Sequence, residues 1–252
     1  MSLAGKTAIV TGAGQGVGRG IALALAQRGV TVALLGRTVS KLETVRGEIE
    51  ALGGKAICHG CDVKDASAIP AVVDEVAREL GGIDILVNNA QEVPLGPLLD
   101  MPDEEFIAGF ESGPLASLRF MRACHPWFIK RGGGTIINLT SSATVRWDMS
   151  GYGPYAAVKQ AIRSLTRAAA AEWGPDGIRV LAIAPLAESP ALDGWIENDP
   201  EGAQAFFATI PLRRVARSET DIGNAVAALC GDDLAYLTGA TIPLDGGHAN
   251  FD

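Results

Sequence analysis

Short apolar runs rich in Val, Ile and Leu alternate with longer stretches whose apolar residues recur every three to four positions. The runs cover 7–11, 31–35, 55–58, 83–88, 135–139, 179–184 and 241–244, and the intervening stretches cover 17–28, 38–52, 66–80, 103–131, 153–173 and 219–230. A period of two or an unbroken apolar run predicts strand, and a period near 3.6 predicts helix, so the chain reads as βα units in series. The runs are almost continuously apolar, which predicts strands covered on both faces. The fold class expected is α/β: one single-domain, Rossmann-like, doubly wound parallel sheet of about seven strands flanked by helices, spanning residues 1–252. Pro243 inside the last run lacks an N–H for the ladder, so that strand is placed at a sheet edge.

One segment breaks the alternation. Residues 186–216 form an acidic, proline-bearing insert carrying Trp195, Phe206 and Phe207, read as a loop that covers the substrate as a lid. Composition narrows the class further. With 48% hydrophobic and 20% charged residues, the 252-residue chain can bury a large core. A balance of 21 basic to 29 acidic residues, with no basic stripe, argues against nucleic acid as a partner. No uncharged apolar run reaches the length of a membrane span, and the start of the chain leads directly into the first strand without a leader pattern. A cytoplasmic protein with reduced thiols is the expectation. Cys58 and Cys61 form a lone C-x-x-C, and a zinc site needs two further ligands, so no metal is expected and the pair reads as small packing residues.

The first candidate for chemistry is Thr11-Gly12-Ala13-Gly14-Gln15-Gly16-Val17-Gly18, between the first strand and the first helix. Free N–H groups at a helix N-terminus accept a pyrophosphate, and glycines let the backbone approach it. The G-x-x-x-G-x-G spacing differs from the strict dinucleotide fingerprint and lacks the lysine of a nucleoside-triphosphate loop. Gly12, Gln15, Gly16, Val17 and Gly18 are therefore candidate cofactor-binding residues. At the end of the second strand, where an acid would hold a ribose 2′-hydroxyl, stand Gly36 and Arg37. A guanidinium there suits a 2′-phosphate, which favours NADP(H) over NAD(H).

Tyr155 and Lys159 lie four residues apart on one predicted helix face, so the ammonium is placed to lower the phenol's pKa toward neutrality. Ser142, thirteen residues before Tyr155, ends the fifth strand segment, and strand carboxyl ends are where such folds bind ligands. Together with Asp62-Val63, Asn88-Asn89-Ala90, Thr238-Gly239 and Asp245-Gly246-Gly247, these motifs make the chain resemble the short-chain dehydrogenase/reductase family over nearly its whole length. The resemblance implies an oxidoreductase in which Tyr155 exchanges a proton with a carbonyl or hydroxyl oxygen. Ser142 would orient that oxygen, and Lys159 would tune Tyr155 and hold the nicotinamide ribose. Asp62 and Val63 would contact adenine, while Asn89, Ala90 and Pro185 would line the cofactor cleft. Taken alone, Asp62 also reads as the N-cap of the next helix. A small-molecule substrate, fairly apolar and small to medium in size, and a homo-oligomer (dimer or tetramer) are also implied.

The chain departs from the family's pattern in three places. The family carries an asparagine in the helix after the fourth strand, associated with a water that links the active-site lysine to solvent; here that position falls on Gly113, followed by Pro114. Gln91 replaces the glycine after Asn88-Asn89-Ala90, and Leu186 replaces the glycine after Pro185, where it would narrow the nicotinamide side. Ser189 takes the place of the hydroxyl residue expected shortly after that proline. Two alternatives stay open on these departures: a member that binds dinucleotide as a sensor or scaffold without turnover, and an enzyme of the same fold with non-redox chemistry such as dehalogenation or epimerisation. Intact Ser142, Tyr155 and Lys159 favour a redox enzyme.

Overall fold

The computed structural model describes residues 3–146, 150–249 and 251. Seven strands, β1 (Thr7–Thr11), β2 (Thr31–Gly36), β3 (Lys55–Gly60), β4 (Ile85–Asn88), β5 (Gly134–Leu139), β6 (Ile178–Pro185) and β7 (Thr241–Leu244), form one sheet in the order β3-β2-β1-β4-β5-β6-β7. Every pairing is parallel. β7 is at the edge, with Pro243 opposite Ala184, so the missing N–H disturbs no inner ladder.

Both faces of the sheet are covered. α1 (Gly16–Gln27) and α2 (Val39–Ala51) contribute to one apolar layer, in which Ile21, Leu25, Leu42 and Ile49 meet Val10, Leu34 and Ile137. On the other face α3 (Ala68–Leu80) packs Ile69, Val73 and Val76 with Ile9, Leu86 and Ile136. This double burial is why the strands read as apolar runs without alternation.

The stretch 103–131 is a helix interrupted at its centre. α4 (Asp103–Phe110) passes into a π-turn over Glu111–Leu115 and resumes as α5 (Ala116–Arg131). Pro114 has no N–H and its ring crowds the preceding turn, so the ladder widens there rather than ending. α6 (Gly153–Trp173) follows the fifth strand as expected. The insert differs from expectation: it contains α7 (Pro190–Asn198) and α8 (Pro200–Thr209), each with a side-chain oxygen capping its N-terminus, Ser189 for α7 and Asp199 for α8. The last predicted helix begins as a π-turn at Ser218–Gly223 before α9 (Asn224–Leu229). Among the described residues no helix is long and apolar enough to cross a membrane.

Two of the central strands are tied by polar groups inside the apolar layers. Asn88 Nδ2 donates to Asn138 Oδ1 at 2.8 Å, Asn138 Nδ2 donates to Thr166 Oγ1 at 2.9 Å, and Thr166 Oγ1 donates to the Ile162 carbonyl at 2.9 Å. The chain joins β4, β5 and α6. Replacing Asn138 by Leu strands the Asn88 amide without its acceptor, and each buried polar group left unpaired costs about 1–3 kcal/mol. Asn138→Leu is expected to lower unfolding stability by about that amount at an unchanged m-value, measured by urea denaturation.

Candidate active site

The order of strands reverses between β1 and β4, and a cleft opens along the carboxyl ends of the strands at that point. Its volume of about 530 Å³ is in the range of small-ligand sites. Gly36, Arg37, Asp62 and Val63 line one part of it, Gly12, Gly14, Gln15, Gly16 and Val17 another, and Asn89, Ala90, Tyr155, Lys159 and Pro185 complete it. One cleft thus gathers nearly all the residues chosen from sequence.

Its floor is set by Thr11 and Asn89. The Thr11 hydroxyl accepts from the backbone N–H of Asn89 and of Ala90, at 3.0 and 3.1 Å, and donates to the Val87 carbonyl at 3.3 Å. Asn89 Nδ2 returns the contact by donating to the carbonyls of Thr11 and Gly12, at 2.9 and 3.2 Å. Gly18 is a packing residue and does not line the cleft: a Cβ there would lie 2.3 Å from the Gly12 carbonyl oxygen, so only glycine lets α1 seat against this floor. Gly12 and Gly16 have φ of +65° and +54°, and a Cβ built at Gly16 meets nothing within 4 Å. The α1 N-terminus therefore faces open space that suits a phosphate group.

Asp62 lines the cleft but is not a helix cap. Its Oδ1 accepts from the Lys64 N–H, and Asp65 is the carboxylate that accepts from Ser67 and Ala68 at the start of α3. Arg37 Nη1 lies 3.3 Å from Glu92 Oε1, and Lys64 Nζ lies 2.9 Å from the same oxygen. Lys41 Nζ donates to Gln15 Oε1 at 2.6 Å. Lys41 and Glu92 were not chosen from sequence, since isolated charges in loops or helices carry no pattern that marks them.

At the other end, β5 and α6 clasp each other. The Thr140 hydroxyl donates to the Lys159 carbonyl at 3.0 Å, and Lys159 Nζ donates to the Leu139 carbonyl at 2.7 Å. Lys159 is buried, and burial pushes its amine down to about 7. Its Nζ is 5.6 Å from the centre of the Tyr155 ring. Tyr155 is held above the usual phenol range, first by burial, with a hydrogen bond from Ser141 acting in the opposite direction and Tyr152 adding to the rise. The expectation that Lys159 depresses the Tyr155 phenol is thus not met in the protein alone, because burial opposes charge on both groups.

The serine that hydrogen-bonds Tyr155 is Ser141, whereas the sequence spacing points to Ser142. Ser141 ends the extended run at φ −153° and ψ 150°, and its side chain accepts from the Ala143 N–H; Ser142 already belongs to the 3-10 turn Ser142–Thr144 and is buried. Counting back from Tyr155 selects one member of a serine doublet, but the direction in which each hydroxyl leaves the strand end depends on the turn.

Leu186 does not line the cleft; its neighbours Pro185, Ala187 and Ser189 do. Its backbone instead donates to Leu244 and accepts from Ala216, which fixes the start of the insert beside β7. Trp195, Phe206 and Phe207 do not line the cleft either. Phe206 packs edge-on to Trp195 at 5.6 Å and to His248 at 5.1 Å, and Phe207 tilts against it at 6.0 Å. Cys61 is buried and Cys58 partly so, with burial raising each thiol to about 11. Among the described residues no three His, Cys, Asp or Glu side chains are grouped to hold a metal.

A family model described as enoyl-(acyl carrier protein) reductase matches residues 12–249. A 12α-hydroxysteroid dehydrogenase from a Clostridium species is 37% identical over 96% of this chain and 96% of its own. A 3-oxoacyl-[acyl-carrier-protein] reductase from Staphylococcus aureus is 34% identical over 96% of this chain and 97% of its own. The solved structure of a 7α-hydroxysteroid dehydrogenase complexed with NADH and 7-oxo glycochenodeoxycholic acid superposes with a TM-score of 0.92 at 34% identity, covering 98% of this chain and 96% of that one. The chain belongs to the short-chain dehydrogenase/reductase family. It is an oxidoreductase of that family, of the kind that acts on CH–OH and C=O groups.

Burial of Lys159 makes a signed prediction for the protein without cofactor. A lysine near 7 in the folded state and near 10.4 unfolded is protonated mainly in the unfolded chain between those values, so its burial penalty relaxes as pH rises through that window, by at most about 1.4 kcal/mol per pH unit. Lys159→Met is expected to be more stable than wild type at pH 7, with the advantage shrinking toward pH 10, as measured by urea unfolding at several pH values.

Proposed function

We propose that the chain is an NADP(H)-dependent dehydrogenase/reductase that interconverts a carbonyl and a secondary alcohol on a fairly apolar substrate of small to medium size. The observation that carries this reading is the continuity of the cleft, from Arg37 past the glycine turn to Tyr155 and Lys159. A bound nicotinamide dinucleotide supplies or accepts the hydride. The residues present fit it: the open space before α1 accommodates the pyrophosphate, and Arg37 stands where a 2′-phosphate would be read.

The chain's own part in the reaction is to place and move a proton. In the reducing direction Tyr155 holds a proton on its phenol oxygen and gives it to the carbonyl oxygen as the carbon takes the hydride; in the oxidising direction it receives the proton of the alcohol. Burial keeps the phenol protonated, which suits the donor role. Ser141 takes the orienting role expected of Ser142, since its hydroxyl bonds Tyr155. Lys159, fixed by the Leu139 carbonyl, lies beneath Tyr155 and is the group best placed to hold a cofactor ribose and to pass on the proton.

The apolar substrate is supported by Val93 in the cleft wall. Two of the relatives are named for hydroxysteroids, which are largely apolar alcohols. The insert, entering the cleft at Ala187 and Ser189, is the element suited to cover such a substrate. Exposed Ile107, Leu115 and Ile129 along the 103–131 helix support assembly as a homo-oligomer.

Tyr155→Phe is expected to keep cofactor affinity and lose roughly two to four orders of magnitude in turnover. In the same assay Ser141→Ala should fall well below Ser142→Ala. Full activity in Tyr155→Phe, or a greater loss from Ser142→Ala, would reverse these assignments.

Cofactor choice has its own test. Charge-assisted hydrogen bonds to a 2′-phosphate are worth about 1.5–3 kcal/mol, or roughly 10-fold to 150-fold in affinity. Arg37→Ala is expected to weaken NADPH by that factor and leave NADH nearly unchanged. Glu92 competes for Arg37 in the unliganded protein, so Glu92→Gln should tighten NADPH selectively. Tryptophan quenching titrations with both dinucleotides measure each effect, and a wild-type preference for NADH would exclude the NADP(H) reading.

A further inference from the structure

Three loops that leave the carboxyl ends of β2, β3 and β4 meet at one carboxylate oxygen. Glu92 Oε1 lies 3.3 Å from Arg37 Nη1 and 2.9 Å from Lys64 Nζ, so a single acid is shared by two cations of different loops. Arg37 and Glu92 both line the cleft, together with Gly36, which stands where an acid would bond a ribose 2′-hydroxyl. The carboxylate at this corner comes instead from the loop after β4.

The two cations are not equivalent. The Lys64 backbone is anchored, its N–H donating to Asp62 Oδ1 at 3.0 Å, and its side chain is 31% exposed against 64% for Arg37. The hydrogen bond to Glu92 raises the Lys64 amine above its usual range, with burial and the charge of Arg37 acting in the opposite direction. The backbone of Glu92 is fixed as well: its N–H donates to the hydroxyl of buried Ser112 at 3.0 Å, and that hydroxyl donates to the Ala108 carbonyl at 2.7 Å. With these backbones held, a change of partner falls to the side-chain torsions of Glu92 and of the exposed Arg37.

A 2′-phosphate at Arg37 would meet the Glu92 carboxylate on the same guanidinium, and like charges so close oppose each other. The acid has a second cation within reach. We propose that Lys64 is a specificity-determining positioning residue: it takes over Glu92 when a 2′-phosphate occupies Arg37, and so leaves the guanidinium to the cofactor. The inference rests on the reading of Arg37 as the 2′-phosphate contact, and it gives Lys64 no contact with the phosphate itself. NADH brings no charge to this corner, so with NADH the carboxylate keeps its shared position between the two cations. Lys64 therefore acts on the choice between the two cofactors and not on dinucleotide binding in general. An uncharged residue at 64 leaves Arg37 as the cation for Glu92, and the acid then competes with the phosphate in full.

The test titrates the full-length chain with NADPH and with NADH, followed by tryptophan quenching, in Lys64→Met, Lys64→Gln, Lys64→Arg, Glu92→Gln and the double variant Lys64→Met with Glu92→Gln; thermal unfolding checks that each is folded. The strength of solvent-exposed ion pairs sets the scale, so Lys64→Met and Lys64→Gln are each expected to weaken NADPH by about 2-fold to 5-fold and to leave NADH nearly unchanged. Lys64→Arg, which keeps a cation for Glu92, retains the wild-type ratio of affinities. When Glu92 is already Gln, Lys64→Met should change NADPH affinity by less than about 1.5-fold at physiological ionic strength, since no carboxylate remains to be drawn away and charges out of contact are screened. An undiminished loss of NADPH affinity in the double variant overturns the proposal, because Lys64 would then contact the phosphate directly. Equal weakening of both cofactors by Lys64→Met overturns it too, as does an unchanged ratio. If Arg37→Ala weakens NADPH selectively while Lys64→Met leaves the ratio unchanged, only this inference fails; if Arg37→Ala weakens both cofactors alike, the reading of Arg37 fails with it.

Discussion

The cleft depends on how Thr11 and Asn89 hold β1 and β4 together at the point where the strand order reverses. There the parallel ladder ends and the two strands lead to opposite faces, so the backbone groups just beyond them would be left without partners. The Thr11 hydroxyl serves two N–H groups of the loop after β4, and the Asn89 amide serves the carbonyls of Thr11, which ends β1, and of Gly12, which follows it. Buried backbone polar groups must be paired, and here the pairing also fixes the distance between the two loops that form the cleft. Gly18 seats α1 against the same carbonyl that Asn89 bonds, which is why the turn tolerates no Cβ at that position.

Burial governs the chemistry at the opposite end. The clasp between Thr140, Leu139 and Lys159 places an amine where water is scarce, and desolvation brings it close to neutrality. The same desolvation keeps the Tyr155 phenol protonated. Desolvation is the largest cause of both shifts and the whole cause of the one at Lys159.

The insert is held by local contacts of its own rather than by the sheet. Ser189 and Asp199 cap two short helices, and Trp195, Phe206, Phe207 and His248 build an aromatic cluster apart from the main core. Edge-to-face contacts among aromatic rings supply much of what such a small unit lacks in buried area. Its contribution to the cleft is made by its first residues, Ala187 and Ser189, whose backbone runs beside β7.

The amino-acid sequence by itself determined the sheet, the placement of β7 at its edge, the glycine-rich turn before α1 and the Tyr155–Lys159 pair on one helix face. These follow from local causes: apolar runs demand cover on both faces, Pro243 cannot serve an inner ladder, and residues four apart on a helix share a face. Only the tertiary structure set Ser141, one residue from the Ser142 expected, in hydrogen-bond contact with Tyr155, because the turn after β5 directs each hydroxyl. It alone placed Leu186 outside the cleft, turned the aromatics of the insert toward one another, and set Glu92 against Arg37. It alone brought Gln91 beside Gly113, residues 22 positions apart. Each of these depends on where two distant segments meet, and a meeting of that kind leaves no period, cap or spacing in the chain.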